Sequence, residues 1–115
     1  MDADYKPDEL LVDMFPELSA ELENLLRVSG EHALAQQVSG LRVLERCRCG
    51  DDFCATFYTQ PKPKGPYGPG LRTVALEPIT GTLIIDVVDG TVAQVEVLYR
   101  DEIRAKLLTT FPHKS

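Results

Sequence analysis

Thr82-Leu83-Ile84-Ile85-Asp86-Val87-Val88-Asp89-Gly90-Thr91-Val92-Ala93-Gln94-Val95-Glu96-Val97-Leu98-Tyr99 contains two runs of β-branched residues with apolar and polar positions in alternation, broken once by Asp-Gly. Period-two patterning marks strands with one buried face, and Asp-Gly between two such runs is a strong short-range hairpin signal. A two-residue turn would set Leu83 opposite Glu96 and Ile85 opposite Gln94, mixing charge into an apolar face. A three-residue loop, Val88-Asp89-Gly90, with Gly90 in the left-handed bulge position, sets Leu83 opposite Val95 and Ile85 opposite Ala93, and is the register the pattern predicts.

Working outward, Leu71 to Glu77 reads as a further strand before this hairpin. After it, Asp101 is expected to cap a short helix over 101–111 that turns Ile103, Leu107 and Leu108 inward and stops before Pro112. Upstream, Gln60-Pro61-Lys62-Pro63-Lys64-Gly65-Pro66-Tyr67-Gly68-Pro69-Gly70 has neither the amide donors nor the ordering tendency of a helix or central strand and is a long exposed loop. Its prolines at 63, 66 and 69 have polyproline spacing, but an exposed mobile loop is the simpler reading. The run from Leu41 to Cys49 alternates as a strand with Arg42, Arg46 and Arg48 on its outer face, and Phe53 to Thr59 forms its neighbour. An Asp51-Asp52 turn then sets Cys49 opposite Cys54, with Cys47 on the same face.

The first 40 residues follow a helical period instead. Pro7-Asp8-Glu9 opens a helical start carrying Leu10, Leu11, Met14 and Phe15, until Pro16 interrupts it. Pro16 and Glu17 suit the first turn of a second helix, in which Leu18, Leu22, Leu25 and Leu26 recur on one face before Gly30. Leu34, Ala35 and Val38 suggest a third, ending at Ser39-Gly40. The expected architecture is α+β: N-terminal helices, about five mainly antiparallel strands, and a short C-terminal helix. A length of 115 residues with 43% hydrophobic and 26% charged residues fits one domain over 1–115, comprising a helical region over 1–40, a sheet region over 41–100 with the loop 60–70, and the terminal helix. Without βαβ alternation there is no basis for a doubly wound nucleotide fold.

No apolar run approaches the roughly 20 residues of a membrane span, and Met1-Asp2-Ala3-Asp4 is acidic where a secretory signal would be basic and then apolar. The expectation is a cytoplasmic protein without membrane association. The net charge of −6 is uneven: residues 1–40 hold nine acids against two bases, and residues 41–64 five bases against three acids. The basic segment is too short and mixed for nucleic acid, whereas acidic helices bearing Glu17, Glu21 and Glu23 could dock a basic protein.

All three cysteines fall in Arg46-Cys47-Arg48-Cys49-Gly50-Asp51-Asp52-Phe53-Cys54. An odd count in a reducing compartment points to free thiols or a metal, not a disulfide framework. Three thiolates supply most of a tetrahedral zinc site, with His32, His113 or an aspartate as the fourth ligand, but C-x-C-x4-C is no complete ligand set. A redox sensor, and above both the plain packing of small side chains, are the other readings of these cysteines. Catalysis finds little support: neither His32 nor His113 lies in a motif with a nucleophile and an orienting carboxylate, and an enzyme would need Cys49 or Cys54 as an activated thiol.

The segment Cys47-Arg48-Cys49-Gly50…Cys54, followed by Asp86-Val87-Val88-Asp89-Gly90 and Glu96-Val97-Leu98-Tyr99-Arg100-Asp101-Glu102, resembles small uncharacterised bacterial proteins, some of them regarded as immunity proteins of toxin systems. The resemblance spans about residues 41–111 and carries no catalytic residue. It implies a non-catalytic stoichiometric binder or inhibitor of a basic partner, with the zinc or thiol redox protein as the alternative.

Overall fold

The computed structural model describes residues 9–112 and is α+β. In chain order its elements are β1 (Glu9–Leu10), α1 (Leu11–Met14), α2 (Pro16–Val28), α3 (His32–Gln37), a 3-10 turn over Val38–Gly40, β2 (Arg42–Val43), β3 (Glu45–Arg46), β4 (Phe57–Tyr58), β5 (Leu71–Leu76), β6 (Thr82–Val88), β7 (Thr91–Leu98) and α4 (Asp101–Thr110). Strands β3-β4-β7-β6-β5 form an antiparallel sheet in that spatial order, and β1 pairs with β2 in a separate two-stranded ribbon. Among the described residues no helix is long and apolar enough to cross a membrane.

The helices cover one face of the sheet. Leu18, Leu22 and Leu26 of α2, Leu11 and Met14 of α1, Leu34 of α3, and Ile103 and Leu107 of α4 join Phe57, Leu83, Ile85, Val87, Val95 and Val97 in one buried cluster. The 3.6 and 2.0 periods of the sequence are the two halves of this core. The N-terminal start is only partly described: Pro7 and Asp8 lie outside the described residues, and Glu9–Leu10 is extended, pairing Glu9 with Val43 and Leu10 with Arg42, before one helical turn ends at Phe15. Pro16 occupies the first turn of α2 and Glu17 its positive end, as the sequence reading requires. Asp101 is not a cap: it is the first residue inside α4, and with Glu102 it places negative charge at that helix start.

The β6–β7 hairpin corrects the expected three-residue loop. Asp89 (φ 51°) and Gly90 (φ 83°) both lie in the left-handed region, making a two-residue turn between Val88 and Thr91. Such a primed turn matches the strand twist, and Asp-Gly tolerates its two positive φ angles. The additional residue enters further along, where Asp86 pairs with Gln94 but Val87 with Val92. Ala93 is bulged out, its carbonyl accepting from both Thr59 and Gln60 N–H at 2.9 and 3.3 Å. The slip puts Ile85 opposite Val95 and Leu83 opposite Val97, so the apolar face survives by a bulge in β7 instead of one in the turn.

A second irregularity decides the candidate site. Leu44 donates to the Tyr58 carbonyl at 2.9 Å while Glu45 is the register partner of Tyr58, so two residues meet one and the alternation from Leu41 breaks. Arg46, expected on the outer face, instead pairs with Phe57 and is only 9% exposed. The Pro/Gly loop has no helix or strand, but it is laid against the sheet: Lys62 Nζ sits 5.7 Å from the centre of the Tyr58 ring, and Gly70 accepts from Asp89 N–H at 3.1 Å.

Candidate functional site

The strand around Cys47 and the strand leading from Cys54 are held in register by Cys47 N–H donating to the Thr56 carbonyl at 2.8 Å, which continues the Glu45–Tyr58 and Arg46–Phe57 pairing toward Cys49 and Cys54. Their connection turns one residue later than expected, at Asp52-Phe53, closed by Cys54 N–H on the Asp51 carbonyl at 3.3 Å. Cys54 also bridges Leu98 of β7. Two strands and a turn thereby bring the sulfurs of Cys47, Cys49 and Cys54 within 4.8 Å of one another, with Cys49 exposed and the other two half-buried.

The crowding of the sulfurs shifts the thiols of Cys49 and Cys54 in opposite directions. Burial alone would raise the Cys54 thiol, but the Thr56 hydroxyl and N–H, with the Cys49 and Cys47 thiols, donate to it and bring it below the ordinary thiol range. The Asp51 backbone N–H favours the Cys49 thiolate, yet desolvation and the neighbouring Cys54 and Cys47 thiols outweigh it and push Cys49 up to about 11. Burial, reinforced by the charge and hydrogen bond of Cys47, pushes the Tyr58 phenol up to about 12.

A cleft of about 180 Å³ opens beside the sulfurs, with Arg46, Asp51 and Thr56 from the hairpin and Arg104 from α4 in its wall. The buried Arg46 guanidinium donates through Nε to the Phe111 carbonyl at 2.6 Å and through one terminal nitrogen to the Cys47 carbonyl at 3.3 Å. Arg48 reaches the Pro112 carbonyl at 3.1 Å and Glu45 at 2.9 Å. These contacts lace the end of α4 to the cysteine hairpin and set positive charge where three thiolates would gather negative charge.

Among the described His, Cys, Asp and Glu side chains, the close group consists of these three cysteines alone. His32 begins α3 and is exposed; it does not join the sulfurs. His113 lies outside the described residues, one position past Pro112. Of the three acids on α2, Glu21 accepts two hydrogen bonds from Arg100 at 3.0 and 2.7 Å, Glu23 accepts from Arg27 at 2.7 Å, and Glu17 is exposed. Sequence reasoning missed Thr56 and Tyr58, although their spacing of two and four from Cys54 places them on its strand face. It had no means of finding Arg104, which reaches the cleft only through the docking of α4. No protein-family model, curated protein or solved structure matches the chain.

Proposed function

We propose that Cys47, Cys49 and Cys54 hold a soft metal cation, zinc first among them, in a site that locks the hairpin and the end of α4 together. The approach of three sulfurs within 4.8 Å supports this reading most directly. Zn–S bonds of about 2.3 Å put tetrahedral sulfurs roughly 3.8 Å apart, so a closure of roughly 1 Å completes the tripod. The exposed Cys49, beside Gly50 at φ 86°, is the member with room to move. Three thiolates with a divalent ion leave one negative charge, which Arg46 and Arg104 face across the cleft. Asp51, in the same wall, and His113, next after the Pro112 carbonyl that Arg48 engages, are the candidate fourth ligands.

Native mass spectrometry of freshly purified untagged protein tests the site. Stoichiometric zinc, lost when the three cysteines are changed to serine, is the expected result, and His113→Ala or Asp51→Asn should weaken retention if that residue supplies the fourth ligand. A disulfide-linked mass would replace the metal by a thiol redox sensor. A reduced, metal-free mass from zinc-supplemented medium would reduce the cysteines to packing residues.

A second reading concerns what the fold is for. We infer that the chain is a small non-catalytic cytoplasmic binder of a basic protein, of the bacterial immunity-protein kind its sequence resembles. The net charge of −6, with nine acids in the first 40 residues, supports it. Glu17→Lys with Glu23→Lys should weaken capture of a cationic partner while leaving circular dichroism intact; unchanged capture removes the α2 face from the binding surface.

A further inference from the structure

We infer that the stacked rings of Phe53 and Tyr99, with Asp51, Asp52, Glu96 and Asp101 about them, form the docking surface for an arginine-bearing segment of a basic protein. The inference rests on the binder reading and names its surface.

The platform is built from two distant stretches of the chain. Phe53 comes from the cysteine hairpin turn and Tyr99 from the end of β7, joined by Tyr99 N–H donating to the Phe53 carbonyl at 2.8 Å and by the Cys54–Leu98 bridge. The rings lie 5.3 Å apart at 22°, yet they are 37% and 61% exposed. Single exposed apolar side chains are ordinary, but two aromatic rings assembled at one surface point are not accounted for by core formation. Tyr99 also holds φ at 64°, a conformation that bulky residues rarely adopt. Strain of this kind persists where the surrounding structure enforces it, and here it aims a ring at water.

The electrostatics choose the occupant. Asp51, Asp52 and Asp101 are exposed, and Glu96 shares a groove with Phe53. Among the described residues none of these four carboxylates forms an ion pair. Arg100, adjacent in sequence, is turned into the molecule by Glu21 and the Thr80 carbonyl. Carboxylates without an ion-pair partner thus stand by the rings: Asp51 and Glu96 line the groove with Phe53, and Asp52 and Asp101 lie one and two residues from a ring in the chain. A guanidinium answers both features, since its plane stacks on an aromatic face and its fork donates to carboxylates, whereas an ammonium offers a compact, strongly hydrated charge. An aromatic centre with a charged rim is also the anatomy of an interface hot spot.

The test is an amide-resolved NMR titration of the intact protein with acetyl-tetra-arginine amide, and with acetyl-tetra-lysine amide for comparison, at low salt. The expected result is saturable binding centred on Phe53, Tyr99 and Asp52, tighter for the arginine probe. It should weaken about tenfold in Phe53→Ser/Tyr99→Gly and stay unchanged in Glu77→Gln, an exposed carboxylate just past β5 at the other edge of the sheet. Gly suits the positive φ at position 99, so the double variant retains its fold, as circular dichroism checks. Binding that maps to α2 and ignores the ring substitutions overturns the inference and leaves the binder reading standing. No saturable cation binding overturns both. Self-association by sedimentation that Tyr99→Gly abolishes identifies a second copy of the chain as the occupant, which also overturns it.

Discussion

Position 81 shows how one residue carries a tertiary constraint. Gly81 has φ 72°, and a Cβ there would lie 2.5 Å from the Leu98 carbonyl oxygen and 3.2 Å from Arg100 Nε. Backbone atoms do not yield as a side-chain tip does, so Gly81→Ala combines left-handed strain with a collision. The expected loss is on the order of 1–3 kcal/mol, read as a lower urea midpoint at unchanged m-value. Gly90, by contrast, takes φ 83° in open space, so there a side chain meets backbone strain alone. The residue pair that sequence reading valued most, Cys49 and Cys54, has a comparable logic: spacing set both on one hairpin, but the opposite shifts of their thiols come from Thr56, Asp51 and the neighbouring thiols.

Elements are joined by arginines at two places. Arg100, with its side chain 10% exposed, spans from Glu21 of α2 to the Thr80 carbonyl ahead of β6. Arg100→Met removes a two-pronged charge-assisted contact and leaves Glu21, itself 29% exposed, partly solvated. The expected destabilisation is about 2 kcal/mol, less than for a fully buried pair because water reaches the orphaned carboxylate. Glu31, before α3, accepts from Arg72 of β5 at 2.9 and 3.1 Å, and that hydrogen bonding, against slight desolvation, holds its carboxyl below the ordinary value of 4.5. A depressed folded-state pKa contributes stability that is present above the unfolded value and is lost as pH falls through the folded one. Arg72→Ala should therefore lower the melting temperature slightly near neutral pH and have no effect once Glu31 is protonated well below pH 4.5. A constant difference across that range would show that the pair contributes nothing through charge.

For the whole molecule, the sheet has its helices on one face and, at the β3 end, an arginine-lined cleft beside three thiols. If the cleft holds zinc, the ion binds the folded state and should stabilise it by about 4 kcal/mol at a thousandfold excess over Kd. A chelator should then lower the melting temperature of the native chain and leave the triple cysteine-to-serine variant unmoved. Equal melting with and without chelator would separate the thiols from stability altogether.

Much of this was legible from residue order because it depends on local periodicity. The leucine repeat from Leu18 to Leu26, the Asp89-Gly90 hairpin and the proline-glycine loop each declare an element through backbone preference and one-face burial, and together they determine the α+β class. The cysteine hairpin was visible for the same reason. What only the tertiary structure decided are the departures from period: the bulge at Ala93, which moves the register of β6 on β7, and the doubling at Leu44-Glu45, which turns Arg46 inward. A bulge satisfies core packing and hydrogen bonding of strands far apart in sequence, and no local pattern announces where that compromise is cheapest. Likewise Arg104 reaches the cleft, and Tyr99 meets Phe53, only because α4 and β7 dock where the assembled core leaves room for them.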